Sequence, residues 1–190
     1  MTTEYINSKI ELMAQHGLNQ TCCAFIRLHF QSGARISDLL RIKRADITTN
    51  NRVIIRQCKG SNTLIIQLST DLDFWGEYRQ GLHVDINLFS RGYFYKLYKR
   101  YGLVIFTENG VNQSITHSAR KQLAREIFDS THDIEASKSA LGHKSSRSTE
   151  YYLTNEQRKS NYSGGVLGKV TNKLYNFRFQ QRKNGSIIYM

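Results

Sequence analysis

The sequence predicts an α+β fold: a mostly helical domain with one small antiparallel β-hairpin or sheet. Three observations predict it. Apolar residues recur at helical spacing through most of the chain. The period changes once, over two β-branched runs at 52–57 and 63–68, with Lys59-Gly60-Ser61-Asn62 between them as a hairpin signal. A length of 190 residues with 39% hydrophobic content is enough for one real core.

The elements follow in order. Ile6, Ile10 and Met13 fall on one face of a first helix that Gly17 ends. A second helix is predicted over 19–31, with Ala24, Phe25 and Leu28 buried, and Ser32-Gly33 breaks it. A third, short helix is predicted over 36–42. After the hairpin the chain returns to helix at 72–78, 88–101, 115–128, 134–141 and 147–153. Val166, Val170, Leu174 and Phe177 form an apolar stripe that predicts a last helix near 165–177. No internal repeat or low-complexity segment is evident.

Composition narrows the function. The formal net charge is +12 and Pro is absent. The three Cys are an odd number, two of them adjacent (Cys22 and Cys23), which argues against a disulfide framework and fits a reducing compartment. No Cys or His pair has zinc-ligand spacing, so we expect no metal and no cofactor. The longest apolar run is far short of the ~20 residues of a spanning helix. No basic-then-apolar leader opens the chain, and we expect a cytoplasmic, nucleoid-associated protein. A polyanion is the natural partner for this charge. Half of the charge lies beyond position 152, where seven Lys/Arg face one acid, Glu156. We therefore expect residues 1–155 to form one domain and 156–190 a basic tail or helix that docks on a neighbouring protomer, lies on DNA or packs on its own domain.

Four short stretches carry chemistry. Arg35 follows the Gly33 break, with Asp38 three residues on. Lys59 projects from the hairpin tip. His117-Ser118-Ala119-Arg120 places a His and an Arg at i, i+3 on one helical face. Leu141-Gly142-His143 is followed nine residues after the His by Tyr152. Each has an ordinary reading by itself: a surface ion pair, a solvated turn lysine, a capping His, a helix C-cap, a packed tyrosine.

Together, in this order, they resemble the tyrosine recombinase, or phage integrase, family over roughly residues 20–155. That resemblance implies a catalytic role for Arg35, Lys59, His117, Arg120 and His143, a supporting acid at Asp38 and a nucleophile at Tyr152. Tyr151 is the rival nucleophile. The implied reaction breaks and rejoins DNA through a 3′-phosphotyrosyl intermediate, as in integrases and other site-specific recombinases.

The residue types suit that chemistry. A phosphotyrosine ester keeps the bond energy for resealing. A phenol with a pKa near ~10 is a weak nucleophile at neutral pH. Two guanidiniums can clamp the non-bridging oxygens with permanently charged donors. His117 and His143 can donate or take the tyrosine proton. The resemblance gives Lys59 the role of general acid for the 5′-oxygen. Such a site works by fixed cations in place of a metal.

Further residues bear on DNA. Residues 91–101 interleave Lys/Arg with aromatics. Phe94, Leu97 and Tyr101 are expected in the core, which leaves Lys96, Lys99 and Arg100 for phosphates, with Lys43 and Arg44 as further candidates. The expected partners are double-stranded DNA and further copies of the chain, a tetramer on DNA as the family implies; no membrane is expected. Only about 19 residues precede the resemblance. The chain is then either a lone catalytic domain, similar in size to the fimbrial-switch invertases, or a fragment. Lys121 stands where many members carry a His. Two rivals are a type IB topoisomerase-like nicking-closing enzyme and a non-catalytic DNA-binding regulator with a helix-turn-helix around 22–42.

Overall fold

A computed structural model of the chain describes residues 2–48, 52–58, 63–67, 89–105, 115–163, 179–181 and 187–189. The helices predicted at 72–78 and 165–177 and the hairpin tip with Lys59 lie outside the described residues.

Helix α1 spans Thr3–Gln15 and buries Ile6, Ile10 and Met13. Thr2 caps it by accepting from the Tyr5 N–H. Each buried side chain of this size contributes about 1.5–3 kcal/mol of transfer free energy. Helix α2, Gln20–Ser32, starts at the Asn19 cap and is buried on nearly every side, from Thr21 to Ile26 and on through Leu28 to Phe30. It is the central rod of the core. Gly33 ends it in the left-handed region (φ 54°). The short α3 follows at Ile36–Leu39, ending earlier than the predicted 42, with Arg35 as its N-cap residue.

Strands β1 (Arg52–Arg56) and β2 (Thr63–Gln67) pair antiparallel. The register sets Val53 opposite Ile66 and Ile55 opposite Leu64, so all four apolar side chains enter the core on one face. Two short strands beyond the helical part, β3 (Phe179–Gln181) and β4 (Ile187–Tyr189), extend this hairpin into a four-stranded sheet of order β1-β2-β4-β3. The predicted antiparallel hairpin is the β1–β2 pair, and the strand added to it, β4, pairs with β2 in parallel.

Helix α4, Arg91–Tyr101, packs on α2 through aromatic contacts. Phe94 stacks on Phe25 with ring centroids 4.2 Å apart. Its buried pair is Phe94 and Tyr98, at i, i+4, whereas Leu97 and Tyr101 are only partly buried. Tyr98 was missing from the predicted core stripe because its hydroxyl needs a partner, and the partner is His29 of α2: Nδ1 and Oη lie 2.6 Å apart.

A 3-10 turn at Ile115–His117 leads into helix α5, Ser118–Thr131. Helices α6 (Ile134–Leu141), α7 (Ser146–Glu150) and α8 (Asn155–Ser163) follow. Ala124, Phe128, Ile134, Leu141 and Leu153 form a second small cluster that seats α6 and the end of α7 on α5. Gly142 ends α6 at φ 64°, and the His143 N–H returns to the Lys138 carbonyl. A Cβ at 142 would push on the end of the Gln57 side chain at 2.8 Å, and the positive φ itself is what favours glycine there. No helix among the described residues is long and apolar enough to cross a membrane.

Candidate active site

Helix breaks and caps bring six of the predicted residues to one place. Arg35 stands at the start of α3 and its Nη1 lies 3.8 Å from Asp38 Oδ2. Asp38 is buried, and its Oδ1 accepts the Cys58 N–H at 3.2 Å. The acid therefore ties α3 to the end of β1, one residue before Lys59. Lys59 itself lies outside the described residues.

Arg120 is the centre of the site. It is fully buried on the first turn of α5. Nη1 donates to the Gly33 carbonyl at 2.6 Å, and Nη2 donates to the Leu141 carbonyl at 3.0 Å and to His143 Nε2 at 2.7 Å. Among the described residues its buried Nε–H has no hydrogen-bond partner. No carboxylate among the described residues lies within ion-pair distance of it. Burial lowers its pKa, yet an arginine keeps its proton in a protein. A buried cation whose hydrogen bonds among the described residues go to neutral acceptors, with one donor unused there, is suited to meet an anion.

The two histidines flank it. His117 and His143 are half-buried, and both are pushed well down from the ordinary value, to about 4 and about 3. Burial is the main cause in both, followed by the Arg120 charge. Both rings are therefore neutral at pH 7. His143 Nδ1 is 2.9 Å from Thr149 Oγ1.

Tyr152 completes the group. Its hydroxyl is 3.4 Å from His117 Nδ1. Its ring stacks on His143 with centroids 5.4 Å apart, and the Arg120 guanidinium lies 5.9 Å from its centroid. Its backbone is held at both ends: the N–H donates to the Thr149 carbonyl and the carbonyl accepts from Arg125 Nε, each at 2.9 Å. Tyr151, the rival, is 59% exposed.

With that constellation in place, comparison with known proteins is informative. No family model matches the chain. It is similar to tyrosine recombinase XerC of Chlamydia pneumoniae, 24% identical over 161 residues, covering 78% of this chain and 51% of that protein. It superposes on the crystal structure of XerA recombinase with a TM-score of 0.59 at 18% identity, covering 86% of this chain and 62% of that one. The chain has the tyrosine recombinase catalytic fold. XerH site-specific recombinase, bound to palindromic difH substrate in a post-cleavage complex, gives a TM-score of 0.57 at 18% identity over 87% of this chain and 52% of that one. The chain spans about half the length of the XerC and XerH proteins it matches.

Within this tyrosine recombinase fold, Arg35, Asp38, His117, Arg120, His143 and Tyr152 gather at one site. The other candidates lie elsewhere. Lys96, Lys99 and Arg100 are exposed on α4, Lys43 is exposed before the 3-10 turn Arg44–Asp46, and Arg44 opens that turn. Lys121, beside Arg120, points the other way: its buried ammonium donates to the Ile105 carbonyl at 3.0 Å. Among the described residues, no group of three or more His, Cys, Asp or Glu is placed to hold a metal ion.

Sequence reading missed two supports of this site. Gln57 is buried and donates to the same Leu141 carbonyl as Arg120, at 3.2 Å. Its signal was available, since it continues the buried alternation of Val53 and Ile55 with a polar side chain. Thr149, fully buried, had no signal beyond its place three residues before Tyr152.

Proposed function

We propose that the chain is a DNA breaking and rejoining enzyme, a tyrosine-type site-specific recombinase, with Tyr152 as its nucleophile. The observation that carries this reading is a phenol held 3.4 Å from a neutral imidazole, beside a buried guanidinium whose Nε–H has no partner among the described residues.

The chemistry follows from those groups. Tyr152 Oη attacks the scissile phosphorus as its proton passes to His117 Nδ1. Charge builds on the non-bridging oxygens, and Arg120 and Arg35 face it with forked donors. The P–O5′ bond breaks, and Lys59, by the resemblance, supplies the proton to the 5′-oxygen. The phosphotyrosyl ester then waits for a 5′-hydroxyl; as that oxygen attacks, its proton goes back to Lys59 and His117 returns its own to the leaving Tyr152 oxygen.

The exposed Lys96, Lys99 and Arg100 on one helix, with Lys43 and Arg44, would set register on the phosphate backbone without reading sequence. Residues 1–155 would be the catalytic unit and 156–190 an accessory tail. Recombination would need several protomers on two DNA sites, a tetramer in the family's arrangement, in the cytoplasm at the nucleoid. XerC and XerH are described as recombinases, and XerH is bound to its DNA substrate; those facts support the reading.

A nicked suicide duplex tests it. Wild type should form a covalent protein–DNA band, with or without EDTA, and Tyr152→Phe should form none. Absence of the band from wild type, across a panel of candidate sites, would sink the reading. Relaxation of a single supercoiled plasmid without joining of two sites would favour the nicking-closing alternative.

A further inference from the structure

We propose that Thr149 is a positioning residue that fixes the tautomer of His143, so that the ring presents an Nε2 lone pair to Arg120. The argument starts from donor counting. A guanidinium only donates. Arg120 Nη2 and His143 Nε2 are 2.7 Å apart, so Nε2 must accept. The neutral ring carries one proton, which therefore sits on Nδ1. Nδ1 lies 2.9 Å from Thr149 Oγ1, its one hydrogen-bond partner among the described residues, and the hydroxyl oxygen accepts.

Thr149 is fully buried, so no water can replace its hydroxyl at low cost. The same residue also holds Tyr152, through the 2.9 Å bond from the Tyr152 N–H to its carbonyl. One residue of α7 thus sets the ring against which Tyr152 stacks and the backbone from which Tyr152 projects. If the hydroxyl is lost, the Nδ1 proton is stranded. The other tautomer would turn an N–H toward the N–H of Arg120, two donors face to face. The ring must then rotate, and it takes with it one of the three acceptors that hold Arg120.

The kinetic consequence rests on the recombinase reading; the tautomer does not. The test is therefore read twice, on full-length protein labelled with 15N-histidine and on single-turnover cleavage of the suicide duplex. Wild type should show His143 with a protonated Nδ1 and an unprotonated Nε2. Thr149→Val should lose that pattern and slow the cleavage step by about tenfold to a hundredfold, by analogy with the loss of the outer partner of a metal-bound imidazole. DNA affinity should stay unchanged, and Thr149→Ser should restore both readouts. A wild-type Nε2–H tautomer overturns the proposal, as does Thr149→Val with the wild-type tautomer and rate. If Thr149→Val does not fold, the wild-type spectrum and the Thr149→Ser variant still decide. A correct tautomer in a protein that cleaves nothing would leave Thr149's role standing and remove the recombinase reading.

Discussion

The carbonyl of Gly33 accepts from Nη1 of Arg120 at 2.6 Å, across 87 residues of sequence. The residue that ends α2 thereby anchors the guanidinium at the centre of the site. Glycine is demanded twice. Its φ is 54°, and a Cβ would lie 2.8 Å from Leu123 Cδ2 and 2.9 Å from Leu141 Cδ2. Gly33→Ala should therefore cost about 1–3 kcal/mol, from left-handed strain and overpacking together. Urea denaturation checks this, and an unchanged midpoint would contradict it. Because Leu141 also gives its carbonyl to Arg120, cleavage should fall more steeply than stability.

Arg120→Lys keeps the charge and loses the fork. An ammonium cannot reach Gly33, Leu141 and His143 from one side chain in the observed planar arrangement. Cleavage should drop about 10²–10³-fold, the loss typical of one transition-state donor. DNA binding, which the proposed function assigns to the exposed lysines and arginines, should change little. Gel shift and single-turnover cleavage separate the two.

Acid should unfold the protein partly through His29. Its ring is wholly buried and its pKa is pushed down to about 3, mainly by burial and next by the Arg120 charge. The folded value lies below the ordinary 6.5, so the unfolded chain takes up the proton first. Stability is full above about pH 6.5 and declines as pH falls toward about 3. A shift of this size corresponds to up to about 5 kcal/mol across the window. His29→Gln, which can still bond Tyr98, should flatten the acid limb of a stability–pH curve. His117 and His143 act with the same sign, so some slope should remain.

Lys59 should matter only to the leaving group. Lys59→Ala should slow cleavage of an ordinary phosphodiester and be rescued by a substrate with sulfur at the 5′-bridging position. A thiol leaves with a pKa near ~8.5 and needs no proton. No rescue would move the general acid to another residue.

Much of this architecture was legible in the sequence because it rests on local rules. Helical spacing found α1, and α6 has the predicted bounds, since caps and apolar stripes lie within a few residues of each other. The candidate site residues that the fold gathers were legible as spaced motifs, because they sit beside helix breaks and caps. The rest depends on contacts between distant segments. Nothing near Ile187 announces a parallel pairing with Leu64. The His29–Tyr98 bond joins residues 69 apart and turns an aromatic that looks peripheral into core. Gln57 and Thr149 read as ordinary polar residues until the fold buries them against Leu141 and His143.

The central claim is that Tyr152 attacks the phosphate. The most direct measurement is mass spectrometry of the trapped adduct after proteolysis, to find which tyrosine carries the nucleotide. Arg147 and Arg158 give a tryptic peptide that contains both Tyr151 and Tyr152, and fragmentation distinguishes them. The account predicts the nucleotide on Tyr152 and none on Tyr151. A nucleotide on Tyr151, or on a residue outside this peptide, would contradict it.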